Sequence, residues 1–162
     1  MNFKISKRVL FNALSIVSRA ISANSPLPWL SGVKIEVKKG ELILIGSDSD
    51  ISIQKVISAN PDEYVFEIKQ EGSIVIEAKY ILEIVRKIDA DEITLEVVDG
   101  NLTKISGHSA EFIINGMKAS EYPQIDFTMP TKQFEIKADL LLKIITQTSF
   151  ATSDKETRPV LT

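Results

Sequence analysis

Residues 3–31 read FKISKRVLFNALSIVSRAISANSPLPWLS, and residues 134–162 read FEIKADLLLKIITQTSFATSDKETRPVLT. The second run lies on the first at a constant offset and without a gap. Phe3 falls on Phe134, Ile5 on Ile136, Leu10 on Leu141, Ser18 on Ser149, Ala20 on Ala151, Ser22 on Ser153, Pro28 on Pro159 and Leu30 on Leu161. Other pairs keep their chemical class, Val9 with Leu140, Phe11 with Leu142 and Leu14 with Ile145, so a short strand running into an amphipathic helix is stated twice. A spacing of about 130 residues is far longer than a solenoid unit and is the size of a domain. It predicts one complete domain over residues 1–128 and the opening of a second copy over 129–162, cut off soon after it begins.

Within the first domain, Asn2 to Ile5 reads as a strand and Ser6 as the cap of a helix. Val9, Leu10, Ala13, Leu14, Val17 and Ile21 recur at three- and four-residue steps, with Arg8, Asn12, Ser15 and Arg19 on the other side. Pro26 and Pro28 then stop helical geometry. Val33, Ile35 and Val37 alternate with charged residues, and Lys39-Gly40 turns the chain into Leu42 to Ile45. Ile51 to Ile57, Tyr64 to Ile68 and Ser73 to Glu77 are further extended runs. Helical spacing returns over Lys79 to Ile88, with Tyr80, Ile81, Ile84, Val85 and Ile88 assigned to the apolar side and Lys79, Glu83, Arg86 and Lys87 to the polar side. Asp99-Gly100 joins Ile93 to Val97 with Leu102 to Ser106 as a hairpin, and Phe112 to Ile114 adds an edge strand. Two helices far apart among roughly eight strands, without regular β-α-β alternation, define an α+β fold. The expected arrangement packs both helices side by side on one face of a curved antiparallel β-sheet, polar sides outward together.

Composition narrows the chemistry. The 162 residues include no cysteine, which removes disulfides, thiolate metal sites and a cysteine nucleophile. Lys4, Lys7, Arg8 and Asn12 interrupt the N-terminal apolar run, so it reads neither as a signal peptide nor as a membrane span, and the expected location is cytoplasmic. A formal net charge of −3 argues against indiscriminate coating of nucleic acid but leaves room for a small basic face on an acidic body.

The stretches MNFKIS opening a helix, LPWLSGVKIEV, GSDSDISI, AKYILEIVRKI, ISGHSAEFIING and above all QTSFATSDKETRPVLT resemble the bacterial DNA polymerase III sliding clamp, or beta subunit, over essentially the whole chain. Members of that family have three similarly folded domains per subunit, and two subunits close head to tail into a ring around duplex DNA. The resemblance implies a DNA-clamp fold and a non-catalytic processivity factor without cofactor or metal. Its implied partners are duplex DNA of any sequence, the replicative polymerase, the clamp loader and a second subunit. A ring that holds DNA by topology needs a weakly basic lining that meets phosphates without reading bases. Arg8 and Arg19 on the first helix, and Lys79, Arg86 and Lys87 on the second, are the side chains available, and carried over by position Asn24, Lys79 and Lys155 match places where clamps touch DNA. Asn24 stands where a basic residue is common. Arg158 and Leu161 match part of the pocket that receives client peptides, and Phe112 and Ile114 match the edge strand at the subunit interface.

Other readings of the same residues are plainer. The cations are also what the solvated face of any surface helix carries, and Glu83 is spaced to pair with Arg86 or Lys87. Asp48 and Asp50 suggest an acid-base pair, yet aspartates so spaced between strands usually bond their own backbone. His108 has no second histidine to complete a metal site, and Trp29, between Pro28 and Leu30, reads as a core anchor rather than a base-stacking platform. The alternative to the clamp is an intracellular interaction scaffold with no role on DNA.

Overall fold

A computed structural model describes residues 1–22 and 27–152 of the chain. The chain divides into two compact units, Met1–Phe127 and Thr128–Thr162. In the first, β1 (Asn2–Ser6) runs straight into α1 (Lys7–Val17), followed by β2 (Gly32–Lys38), β3 (Glu41–Ser47), β4 (Ser52–Ser58) and β5 (Phe66–Gln70). Then β6 (Gly72–Glu77) runs straight into α2 (Ala78–Lys87), followed by β7 (Glu92–Asp99), β8 (Leu102–Gly107) and β9 (Ala110–Asn115). The fold is α+β with both helices on antiparallel sheet, as the periodicities predict.

The strands form two sheets where the sequence suggested one, in the orders β5-β1-β7-β8-β9 and β4-β3-β2-β6. Strand, helix and three strands occur twice, as β1, α1, β2–β4 and as β6, α2, β7–β9, with β5 between them, and the leading strand of each half pairs with the other half: β1 with β7, and β6 with β2. Alternation reveals hairpins such as β2-β3 and β7-β8, but pairing between β1 and β7 depends on contacts that no local pattern encodes.

Register aligns the apolar rows. Phe3 lies between Ile68 and Leu95, Leu95 faces Ile105, and Ile105 faces Phe112. Ile35 lies between Leu44 and Ile74. Phe3 also meets the Phe66 ring edge to face, with centroids 6.4 Å apart. These rows and the buried sides of α1 (Leu10, Ala13, Leu14, Val17) and α2 (Ala78, Ile81, Val85) make one core. Each fully buried aliphatic side chain there contributes about 1.5–3 kcal/mol. Val75 and Ile45 point to the other face of the second sheet, where Leu30, Tyr122 and the half-buried Trp29 cover them. Trp29 thus anchors a second, smaller core. Main-chain bonds between Val75 and Met117 lay the chain after β9 along the edge of β6.

Ser6 sits at the start of α1 but does not cap it. Its hydroxyl accepts the Val65 amide at 3.0 Å and so extends the sheet. The helix start is held from outside instead: the Lys7 amide donates to the Asp91 carbonyl at 2.7 Å and the Lys7 ammonium to the Ile88 carbonyl at the end of α2. The α-helix ends at Val17, short of the expected Ile21, and continues as a single 3-10 turn over Ser18–Ala20. In the second unit, α3 (Ala138–Thr148) and a 3-10 turn over Ser149–Ala151 reproduce α1 and its turn residue for residue, 131 positions on. Phe134 to Ile136, expected to repeat β1, joins no ladder among the described residues, because a strand exists only through a partner. Leu140, Leu141, Leu142, Ile144 and Ile145 on α3 are exposed.

Gly46 marks where β3 passes beneath the end of α1. A Cβ there would stand 2.2 Å from the Val17 carbonyl oxygen, and backbone cannot yield as a side chain does. Gly46→Ala is expected to destabilise the first unit by about 3 kcal/mol in urea denaturation. Burial pushes the Tyr122 phenol up to about 12, only partly offset by the main chain of Ser47. A folded-state value above the unfolded one leaves stability intact below pH 10 and erodes it as pH rises from 10 toward 12. Relative to Tyr122→Phe, the parent chain should lose about 1.4 kcal/mol by pH 11, read from denaturation midpoints across the alkaline range.

Candidate nucleic-acid interface

The two helices lie side by side and antiparallel, since α1 begins where α2 ends. Each buries one stripe and turns the other outward. Arg8, Asn12 and Arg19 are exposed beside α2's Lys79, Tyr80, Arg86 and Lys87. Arg8 and Arg86 come together, lining with Lys7, Phe11, Ala90 and Asp91 a depression of about 300 Å³. Arg19, in the turn that follows α1, lies about 16 Å from Arg8 along the helix axis, and Lys79, in the first turn of α2, about 10 Å from Arg86. Arg8 also borders an open groove of about 1250 Å³ between α1 and β4, shared with Asn12, Lys55 and Tyr64.

The placement of these cations is informative. Cations are disfavoured at the positive, N-terminal end of a helix dipole. Yet α1 opens with Lys7 and Arg8, α2 carries Lys79 in its first turn, and neither first turn holds an acid. Lys7 is relieved by its bond to the Ile88 carbonyl at α2's C-terminus, whereas Arg8 and Lys79 point to solvent, so helix stability does not account for them. Among the described residues Arg8, Arg19 and Lys79 make no ion pair. Arg86 and Lys87 share one carboxylate: Glu83 lies 2.7 Å from the Arg86 guanidinium and 3.2 Å from the Lys87 ammonium. Hydrogen bonds from Lys87 and then Arg86 hold the Glu83 carboxyl below its ordinary value.

Tyr80 corrects an expectation. Assigned by spacing to the apolar side, it is 53% exposed and stands among the cations. Positions 79, 80, 83, 86 and 87 share one side at 100° per residue, a signal present in the sequence but outweighed by the apolar character of tyrosine. Asn12, on the polar side of the first helix by its spacing, borders the groove beside Arg8 as that spacing allows, whereas Lys55, which joins it there, carried no local signal.

Phe112 and Ile114 lie on the edge strand β9, on the face that meets the core, opposite buried Ile105 and Thr103. Phe112 remains 39% exposed because nothing lies beyond β9 in its sheet among the described residues, and Ile113, which the sequence reading passed over, is 56% exposed on the outer face. Asn24, Lys155, Arg158 and Leu161 lie outside the described residues.

The plainer readings of the acidic loop hold. Asp48 accepts the amides of Asp50 at 3.0 Å and Ile51 at 2.8 Å, and these bonds, Ile51's foremost, hold its carboxyl low. That is turn chemistry, with one carboxylate oxygen accepting both amides. His108 is exposed at a positive φ between β8 and β9. No group of three metal-ligating side chains occurs among the described residues. No described helix is long and apolar enough to cross a membrane.

Comparison with known proteins agrees with this geometry. The family model for the DNA polymerase III beta subunit, N-terminal domain, matches residues 1–126. The beta sliding clamp of Halalkalibacterium halodurans is 40% identical over all of this chain, which covers 43% of that protein. The crystal structure of the DNA polymerase sliding clamp from Bacillus subtilis superposes with a TM-score of 0.93 at 38% identity, covering 99% of this chain and 42% of that one. The DNA polymerase III beta chain of Streptococcus pneumoniae gives a TM-score of 0.92 at 32% identity, covering 98% and 42%. The chain therefore spans less than half the length of these relatives.

Lys87 and Arg86 depress the Glu83 carboxyl, so what the pairing contributes is present above the unfolded value of about 4.3 and lost as pH falls through the lower folded one. In an NMR titration, the side-chain carbon of Glu83 should titrate below the ordinary glutamate range, and Lys87→Ala with Arg86→Ala should return it there.

Proposed function

The chain belongs to the DNA polymerase III beta subunit family, its first unit being that family's N-terminal domain, and on that premise we propose that it serves in a ring that encircles duplex DNA and tethers a replicative polymerase. The observation that carries the proposal is the outward face of α1 and α2. Two antiparallel helices present Arg8, Arg19, Lys79 and Arg86 together, with the first three unpaired among the described residues, on a body whose formal charge is −3. Such a face attracts phosphates wherever they lie along the duplex, and its few cations, spread over two helices packed side by side on the sheet, meet phosphates rather than base edges. The action is non-catalytic: the ring holds by closure, and the helices contribute weak contact that lets it slide.

On this reading Thr128–Thr162 opens a second copy of the first domain, with α3 in the role of α1. The apolar side chains of β9, exposed Phe112 and Ile113 and half-buried Ile114, form the side that meets a second subunit head to tail. Asn24 and Lys155 add contacts to DNA, and Arg158 and Leu161 form part of the pocket for client peptides. The clamp loader and the replicative polymerase are the partners, and the bacterial cytoplasm is the place of action.

The test is salt-dependent binding. The chain should bind a mixed-sequence duplex weakly at low salt, with affinity falling by about 0.9 log unit per log unit of salt for each phosphate engaged, and a duplex of different sequence should give the same curve. Arg8→Glu with Lys79→Glu should lower affinity at least tenfold and flatten that slope by about two units. Binding that ignores both salt and these reversals would show that the helices face something other than DNA.

A further inference from the structure

We propose that Glu83 is a positioning residue that limits how tightly this face grips DNA, by occupying Arg86 and Lys87 so that phosphates meet only part of their charge. The inference rests on the reading of α1 and α2 as the DNA-facing surface, and goes beyond it by giving an acid on that surface a function.

Four charged side chains stand outward on α2, and they are not treated alike. Lys79 lies four residues before Glu83 and makes no ion pair among the described residues, while Arg86 and Lys87, three and four residues after it, both do. That direction, an acid preceding its cation, is the favourable one for a helix. The Arg86 guanidinium nitrogen lies 2.9 Å from one Glu83 oxygen and 2.7 Å from the other, and the Lys87 ammonium shares the first of these at 3.2 Å. One carboxylate thus holds two cations. The three side chains are well exposed, at 45% for Glu83, 59% for Arg86 and 68% for Lys87, and pairs so exposed contribute little to folding.

Their effect falls on an approaching anion. A phosphate that contacts Arg86 must displace Glu83 or accept its repulsion, whereas one that contacts Arg8 or Lys79 meets neither obstacle. Arg86 shares its depression with Arg8, so the restraint acts where the two helices bring their cations closest. The face is therefore uneven, with unrestrained cations at Arg8, Arg19 and Lys79 and a buffered pair at the end of α2. Shallow, unequal wells suit a surface that must pass from one phosphate to the next, while a fully released set of cations would hold each phosphate longer.

The experiment compares the chain with Glu83→Gln, with Glu67→Gln, and with the Arg8→Glu/Lys79→Glu pair, on one duplex across a salt series. Glu67 is an exposed residue of β5 opposite Lys4, on the face of its sheet turned away from the core that the helices cover, so its replacement changes net charge equally but elsewhere. Glu83→Gln is expected to bind three- to tenfold more tightly at 50 mM salt. Its slope should steepen by about one unit, so that the gain shrinks about 3.5-fold by 200 mM, with Glu67→Gln following the parent chain. If the Arg8/Lys79 reversal weakens binding while Glu83→Gln behaves as Glu67→Gln or as the parent, the function assigned to Glu83 is wrong and the DNA-facing surface stands. If no form binds with salt dependence and the reversal changes nothing, the DNA reading fails and takes the assignment with it.

Discussion

The exchange of leading strands between the two halves of the first unit is the constraint on which the rest depends. β1 takes its second partner from β7, and β6 takes its own from β2, so neither half has a complete sheet by itself. Both leading strands run without a break into helices, so fixing the strands fixes where α1 and α2 emerge. The helices then cover the joint core side by side, and the bonds from Lys7 to the Ile88 and Asp91 carbonyls close the junction between them. Main-chain pairing gives the geometry, and apolar rows such as Ile68, Phe3, Leu95 and Ile105 supply the driving force.

A charge pattern follows from this architecture. Because both helices start at the end of a strand, the first exposed position of each, Arg8 and Lys79, lies 71 residues from the other and in the same place within its half. Each sits at the helix end where a cation is least welcome. Arg86 and Lys87 have the opposite character, since they suit the end of α2 and answer to Glu83. The surface thus combines cations that folding does not explain with cations that it partly does, and a contact that is neutral in sequence and modest in strength is the natural product.

The helices were legible in the sequence and the sheets were only half so. A stripe of Leu10, Ala13, Leu14 and Val17 needs no tertiary knowledge, and the doubled stretch carried α3 and its 3-10 turn to the same register as α1. The hairpins β2-β3 and β7-β8 were marked by Lys39-Gly40 and Asp99-Gly100, of which Lys39, Gly40 and Gly100 take the positive φ that such turns use. What stayed hidden was non-local. The division into two sheets, the shorter repeat within the first unit and the gathering of Arg8 with Arg86 all arise from pairing between strands distant in the chain. Ser6 and Tyr80 misled for a related reason: residue type suggested a cap and a core position, and the surrounding sheet and solvent assigned each a different place. The candidate site was legible as a set of helical cations and, by spacing, in the pairing of Glu83 with Arg86 and Lys87, but the crowding of Arg8 with Arg86 needed coordinates.

The exchanged strands also bear on how the protein is made. β1 is synthesised well before its partner β7, which is not complete until Asp99 has been added. At about 5–20 residues per second, Phe3 and Ile5 wait roughly 5–20 s with that side unmatched. During that interval β1 keeps an apolar edge without its partner. The order of synthesis therefore leaves the growing chain, rather than the finished one, more open to mispairing.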